Sequence, residues 1–295
     1  MRSPTNNFLA AIAVCQTLLL GVYLSYLVGL ELWPEDAECW LRKFTKASAF
    51  IALLHADASI FLRSATLWLS VVMAGYRVRA VCRPLASVRP VSEHLRLCYY
   101  LIAATLLACA LASAPVFAIN GIAEFTLGNA SNFSQCPPVI YTVDFSYFAL
   151  EHDGLLVRIS HWVNGILFKL LPCILLIFFL SSLIRYLYKY KAYRQVVLRL
   201  NSRQNAVSVT PSTYLLTVIL VLTAALELPI VTYSITAAVL PKGQEAYRNV
   251  GDLLDDLSLL SALLTFPLYC LSCRDFRHTA CNLLIPTSIA HTHFK

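Results

Sequence analysis

The stretch Arg63–Leu85, RSATLWLSVVMAGYRVRAVCRPL, decides the fold of this chain. It is an apolar run that ends in a basic cluster formed by Arg77, Arg79 and Arg83. Pro84 lacks a backbone N–H and fixes its own φ angle, so it predicts that the helix ends here. Because Lys and Arg gather on the cytosolic side of transmembrane helices, this end of the helix is predicted to lie in the cytosol.

The composition is that of a protein that crosses the membrane several times. Of its 295 residues, 58% are hydrophobic and only 13% are charged, and the mean hydropathy is +0.67. A soluble domain carries charge on about a quarter of its residues. The formal net charge of +7 does not indicate nucleic-acid binding, because the basic residues flank apolar helices and follow the positive-inside rule.

Six stretches of the sequence are long enough to cross a bilayer, which takes about 20 apolar residues. Such long uniform runs are predicted to be helices, because a helix satisfies all of its backbone polar groups within lipid. The first stretch could instead be a signal peptide, but it is long for one and lacks a clear small-residue cleavage site. The stretches are Phe8–Leu30, Ala47–Tyr76, Leu97–Ile119, Trp162–Leu187, Tyr214–Leu240 and Leu253–Cys273.

Loop chemistry predicts the orientation of these spans. Basic residues cluster at Arg77–Arg96, at Arg185–Arg203 and again after the last span, whereas the intervening loops carry acidic residues. Glycosylation sequons begin at Asn129 and Asn132 in the loop after the third span, and glycosylation requires the lumenal side. Both signals predict that this loop lies outside and that both ends of the chain are cytosolic.

Cysteine usage agrees with that orientation. Of the ten cysteines, only Cys39 and Cys136 fall in the predicted outside loops, where an oxidising environment permits disulfides. A disulfide between Cys39 and Cys136 is therefore predicted, with two unpaired thiols as the alternative. The other cysteines lie in the predicted spans or on the cytosolic side and are expected to be reduced.

The predicted organisation has three parts. Residues 1–7 form a cytosolic N-terminal stub, and residues 8–273 form the transmembrane bundle. Residues 274–295 form an amphipathic helix and a cytosolic tail. The amphipathic segment is Asp275–Leu284, which is basic on one side and apolar on the other and is expected to lie along the inner leaflet.

Four motifs occur in order along the chain, and together they resemble rhodopsin-like G-protein-coupled receptors. They are LWLSVVMAGYRVRAVCRP in the second span, FKLLPCILL in the fourth, LELP in the fifth and DLLDDLSLLSALLTFPLYCLSCRDFR around the sixth. More closely, the chain is similar to myosuppressin and FMRFamide-like peptide receptors and to nematode serpentine receptors of class W. The resemblance implies an all-α membrane fold, namely six transmembrane helices of a seven-helix receptor bundle plus a C-terminal amphipathic helix.

The opening NNFLAAIAVCQTLLL resembles the second helix of that receptor group, so the first transmembrane helix is expected to be missing from this chain. The predicted orientation agrees, because a seven-span receptor has its N-terminus outside. Several residues depart from the group's pattern, which puts sodium modulation in doubt. They are Gln16 in place of the acidic sodium-site residue, Ser261 and Thr265 in place of asparagines, and the triplet Gly75-Tyr76-Arg77 without its acid.

The resemblance implies a receptor for an extracellular peptide at the plasma membrane that signals through a heterotrimeric G protein. Arg77 matches the residue that faces the G protein, and Tyr269 matches its switch partner. The group's ligand pocket would lie above them, in the outer half of the bundle.

Ionisable residues within spans are costly, and they normally face the bundle interior with a partner. His55, Ser59 and Arg63 recur at i, i+4 and i+8 and share one helix face. Lys169, Glu227 and Arg63 are expected to converge near mid-membrane. Both sets are either ligand contacts or structural polar groups between helices. Three acids at the outer mouth could accept a cationic peptide side chain or complement the helix dipole; they are Asp252, Asp255 and Asp256.

Other functional classes fit the sequence less well. Enzymes are excluded by the absence of the HExxH and GxSxG motifs, of cysteines at zinc spacing and of glycine-rich phosphate loops. No cofactor, metal or nucleic-acid partner is predicted. Membrane lipid is a predicted partner. A six-span transporter or channel is the main alternative, although no internal repeat of the transporter kind is found. A truncated receptor remnant that does not signal is the third possibility.

Overall fold

The computed structural model describes residues 4–31, 40–82, 91–126, 138–146, 149, 155–200, 211–239, 259–260 and 263–264. The chain divides into two compact units. The first unit comprises Met1–Leu69 and Val91–Pro172, and the second comprises Ser70–Pro90 and Cys173–Lys295. The boundary falls between Leu69 and Ser70, within the helix Lys46–Cys82.

The described secondary structure consists of six α-helices, one β-hairpin and three short π- or 3₁₀-helical segments. The helices are α1 (Pro4–Tyr26), α2 (Lys46–Cys82), α3 (Val91–Ile119), α4 (Leu155–Trp162), α5 (Leu171–Leu200) and α6 (Pro211–Val239). The strands are β1 (Asn120–Thr126) and β2 (Val139–Phe145). Leu27–Glu31 forms a π-helical turn after α1, Trp40–Lys43 a 3₁₀ turn before α2, and Val163–Leu170 a π-helical segment that joins α4 to α5.

Helix α1 has one face that is buried in the protein and other apolar side chains that are exposed. It begins at Pro4, and proline is favoured in the first helical turn because the N–H that it lacks would have no partner there. Its buried apolar residues Phe8, Ile12, Cys15 and Leu19 follow helical spacing and lie on one face. Large apolar side chains such as Leu18 remain 53% exposed, as expected for a surface that faces lipid.

Helix α2 is the longest element and has a well-defined beginning. The Thr45 hydroxyl caps it by accepting a hydrogen bond from the Ser48 N–H at 3.2 Å. The Ser48 hydroxyl in turn donates to the Lys43 carbonyl at 2.7 Å. The helix runs 37 residues to Cys82, two residues before Pro84.

The antiparallel hairpin of β1 and β2 follows directly after α3, with Asn120 opposite Phe145 and Thr126 opposite Val139. The Ser146 N–H bonds the Ile119 carbonyl at 2.7 Å, and the Tyr141 N–H bonds the Phe44 carbonyl at 3.1 Å. The hairpin is thus fixed to the end of α3 and to the start of α2. This places it at the end of α2 that the sequence predicts to lie outside.

Within the described residues, four helical stretches are long and apolar enough to cross a membrane, namely Pro4–Leu30, Lys46–Ala80, Glu93–Ile119 and Val163–Lys189. They confirm the first four predicted spans. The fifth is helical from Pro211 to Val239, with a shorter apolar core at Thr217–Pro229. The sixth span, apart from residues 259–260 and 263–264, and the amphipathic segment both lie outside the described residues.

Candidate functional site

His55, near the start of α2, packs against two tyrosines at the end of α1. Its ring stacks on Tyr26 with 4.5 Å between centroids and 24° between planes, and it tilts against Tyr23 at 5.5 Å. Gly29, in the π-helical turn after α1, lies close to α2, because a Cβ atom there would lie 3.3 Å from Ile51 Cδ1. The result is an aromatic cluster of Tyr23, Tyr26 and His55, in which sequence reasoning identified only His55.

Ser59 and Arg63 follow His55 at successive turns of α2. Ser59 is buried, and its hydroxyl donates to the Ala56 carbonyl at 3.0 Å. Arg63 is half-buried, and its sequence neighbours Leu62 and Ser64 are buried. From His55 to Arg63 the polar face extends about 12 Å along the helix.

Asp57 and Asn120 form a polar contact that sequence reasoning missed. The Asn120 side-chain amide donates to Asp57 Oδ1 at 2.7 Å, which joins α2 to the first residue of β1. A charge-assisted hydrogen bond of this length is roughly twice as strong as a neutral one. Asp57 could have been identified from the sequence, because a carboxylate within a span is by default a candidate functional group.

We expect the Asp57→Ala substitution to lower the free energy of unfolding by about 2 kcal/mol, because Asn120 would lose a charged partner. The Asp57→Asn substitution keeps an acceptor oxygen and should cost about half as much. Thermal unfolding of the purified protein measures both. Asp144→Asn is the matched control, since Asp144 is an exposed carboxylate on β2 of the hairpin that carries Asn120. Equal stability of the Asp57→Ala variant and the unsubstituted protein would contradict a structural role for this contact.

Lys169 lies in the π-helical segment, where the helix is held to α2 by an unusual hydrogen bond. The Leu171 N–H bonds the Ile166 carbonyl in the π pattern, and the next donor in that pattern would be residue 172. Residue 172 is proline and has no N–H to give to Leu167. The Trp68 indole supplies the missing donor, with Nε1 3.2 Å from the Leu167 carbonyl oxygen.

Glu227 lies in α6, two residues before Pro229, and is half-buried. Within the second unit its carboxylate is close enough to act electrostatically on the buried Cys173 thiol of α5. Arg63 and Lys169 belong to the first unit. The convergence of these three charges therefore stays a prediction.

Arg77 lies in the last turns of α2, and its side chain is half-buried. Its Nε is buried and has no hydrogen-bond partner among the described residues. The neighbouring Gly75 packs against α5, where a Cβ atom at position 75 would lie 3.3 Å from Phe179 Cζ. Helices α2 and α5 therefore meet closely at Gly75, about half a turn before Arg77 along α2. The Nε–H group of Arg77 remains able to donate a hydrogen bond.

The remaining candidate residues lie outside the described part of the chain. They are the acids Asp252, Asp255 and Asp256, the predicted switch residue Tyr269, the cysteines Cys39 and Cys136, and the sequon residues Asn129 and Asn132. Asn129, Asn132 and Cys136 fall between the described ends of β1 and β2. Their glycosylation and disulfide bonding stay predictions.

The described helices and polar groups define an all-α membrane protein that crosses the bilayer several times. The sequence pattern of the serpentine type 7TM GPCR chemoreceptor Srw family matches residues 1–285. The chain belongs to this receptor family, so the predicted resemblance to serpentine receptors of class W is confirmed. The family is one of receptors, in agreement with the exclusion of enzymes.

A curated relative gives a second comparison. The chain is similar to the G-protein coupled receptor dmsr-1 of Caenorhabditis elegans, at 26% identity over 327 residues. The matched region covers 98% of this chain and 63% of the relative. The chain thus spans just under two thirds of the length of that receptor.

Proposed function

We propose that this chain receives an extracellular peptide of the FMRFamide or myosuppressin type at the plasma membrane and acts on a heterotrimeric G protein. Membership of the receptor family supports the signalling class. The peptide class rests on the resemblance of the sequence motifs. A transporter has less support, because the family that matches almost the whole chain is a receptor family.

The observation that carries the proposal is the arrangement of polar groups along α2. Near one end, the helix start bonds the hairpin through Phe44 and Tyr141, and the face of His55, Ser59 and Arg63 follows just below. Near the other end lies Arg77. His55 and Arg77 are 22 residues apart in the sequence of α2, which is about the number of residues in a membrane span.

Mechanistically, ligand contacts with the His55 face would have to be stronger in one helix packing than in another, since only differential affinity shifts an equilibrium. The aromatic cluster offers the stacking surface that an aromatic peptide side chain needs. Arg63 offers a cation for peptide carbonyl or carboxylate oxygens. A change at this face would be carried to Arg77 by α2 itself.

We expect the His55→Ala substitution to weaken peptide binding by about tenfold, because it removes one aromatic stacking partner and a polar tip from the ligand-facing surface. The measurement is displacement of a labelled amidated peptide from membranes of cells that express the chain, with surface expression counted in parallel. A panel of FMRFamide-like and myosuppressin-like peptides identifies the probe.

Leu54→Ala is the matched control, because Leu54 precedes His55 on the same helix and is 50% exposed on another face. It should leave peptide affinity within about twofold. Unchanged affinity in the His55→Ala variant would remove this face from the ligand site. If the panel neither binds nor activates at normal surface expression, the peptide class is wrong.

A further inference from the structure

Helix α5 has one face turned toward the protein and the opposite face turned away from it. Within the second unit, the exposed face carries Ile174, Ile177 and Phe178, which are 54%, 44% and 61% exposed. The opposite face carries residues that are almost fully buried, namely Cys173, Leu176, Leu180 and Leu183. An exposed apolar face on a membrane-spanning helix is expected to contact lipid, and this face is called the lipid-facing surface below.

This lipid-facing surface continues directly into basic residues. Arg185 and Lys189 follow Phe178 at intervals of seven and four residues, which keeps all three side chains on one helix face. Both cations are exposed, and Tyr188 beside them is 72% exposed. From Phe178 to Lys189 the helix rises about 16 Å, so the cations lie beyond the apolar surface at the depth of lipid headgroups.

The chemistry of these three side chains matches an anionic lipid headgroup. Exposed Lys and Arg at the end of a span extend their ammonium and guanidinium groups into the interface, and tyrosine is favoured at that depth. No Asp or Glu occurs in α5 from Leu171 to Leu200, so the helix supplies no carboxylate of its own to neutralise them. A phosphate can accept from Arg185 and Lys189 together.

We propose that Arg185, Tyr188 and Lys189 form a binding surface for anionic phospholipid headgroups in the cytosolic leaflet. The orientation follows from the basic cluster in the sequence, and the surface itself follows from its continuity with the lipid-facing residues of α5. A G protein is the competing occupant of basic residues near the inner end of a receptor. Continuity with the lipid-facing surface favours lipid, because this face points away from the packed core of the unit.

The test is lipid titration of the full purified chain in detergent micelles, followed by native mass spectrometry of the lipid adducts. The probes are phosphatidylserine, phosphatidylinositol 4,5-bisphosphate and phosphatidylcholine. The double substitution R185Q/K189Q is expected to weaken binding of the two anionic lipids by about tenfold or more, since each cation near an anionic surface contributes strongly. Phosphatidylcholine adducts should not change, and the loss should shrink as salt is raised.

The matched control is K43Q/K46Q, which removes the same charge just before and at the start of α2, where Lys46 is exposed. Equal loss of anionic lipid in both double variants would overturn the proposal in favour of non-specific attraction. Inositol 1,4,5-trisphosphate that binds as tightly as the lipids would also overturn it, because the site would then recognise free phosphate. Unchanged lipid binding with reduced G-protein activation would assign the surface to the G protein instead.

Discussion

Replacing Arg77 with alanine is expected to reduce peptide-stimulated G-protein activation by at least about 30-fold, the effect of deleting one buried partner of a charged contact. The side chain is half-buried near the inner end of α2, and its Nε has no hydrogen-bond partner among the described residues. Such a group can donate to a partner that arrives only in the active complex. Peptide affinity measured without G protein should stay within about threefold, because allosteric coupling requires both partners.

Arg79→Ala provides the matched control for Arg77→Ala. Arg79 carries the same charge two residues further along α2, but its side chain is exposed. Activation is read as nucleotide exchange on a purified G protein in membranes with equal receptor content. If Arg79→Ala reduces exchange as much as Arg77→Ala, the effect is one of general positive charge and Arg77 has no specific role.

Replacing Trp68 with alanine is expected to lower the free energy of unfolding by about 3 kcal/mol, the loss of a large packed ring together with its hydrogen bond. The Trp68→Phe substitution keeps most of the ring and removes only the N–H, so it should cost about 1–2 kcal/mol. That cost arises because the Leu167 carbonyl oxygen would lose the Trp68 Nε1 donor at 3.2 Å. Pro172 has no N–H and cannot replace this donor. The measurement is thermal unfolding of purified protein in one detergent.

Trp162→Phe is the control for the ring substitution, because Trp162 is 52% exposed at the end of α4. It should change stability by no more than about 0.5 kcal/mol. If Trp68→Phe is as stable as the unsubstituted protein, the indole hydrogen bond contributes nothing, and packing alone explains any loss in the alanine variant.

The spans could be predicted from sequence because length and uniform apolarity determine them without knowledge of any partner. The hairpin was missed, although VIYTVDF at residues 139–145 is rich in β-branched and aromatic residues. Charge and sequons assigned this segment to an outside loop, and a loop carries no expectation of strands. The strand signal was present and could have been used.

The individual contacts of the site were harder to predict. Asp57 was visible as a carboxylate in a span, but Asn120 is 63 residues away in sequence, and only the fold shows that they meet. Trp68 and Leu167 are separated by 99 residues. Their hydrogen bond depends on how far each of the two helices is rotated about its own axis. The apolar pattern of a sequence shows which face of a helix is buried, but it does not give that rotation accurately enough to predict a single hydrogen bond. The tyrosines around His55 pose the same difficulty.

The contact between Gly75 and Phe179 constrains the order in which these two positions can diverge. A methyl group at position 75 would already lie 3.3 and 3.4 Å from two ring carbons of Phe179, and a longer side chain would meet the ring directly. A descendant with a carboxylate or branched side chain at position 75 is therefore expected to acquire a smaller residue at position 179 first. The reverse order passes through an overpacked intermediate that is destabilised by about 1–3 kcal/mol.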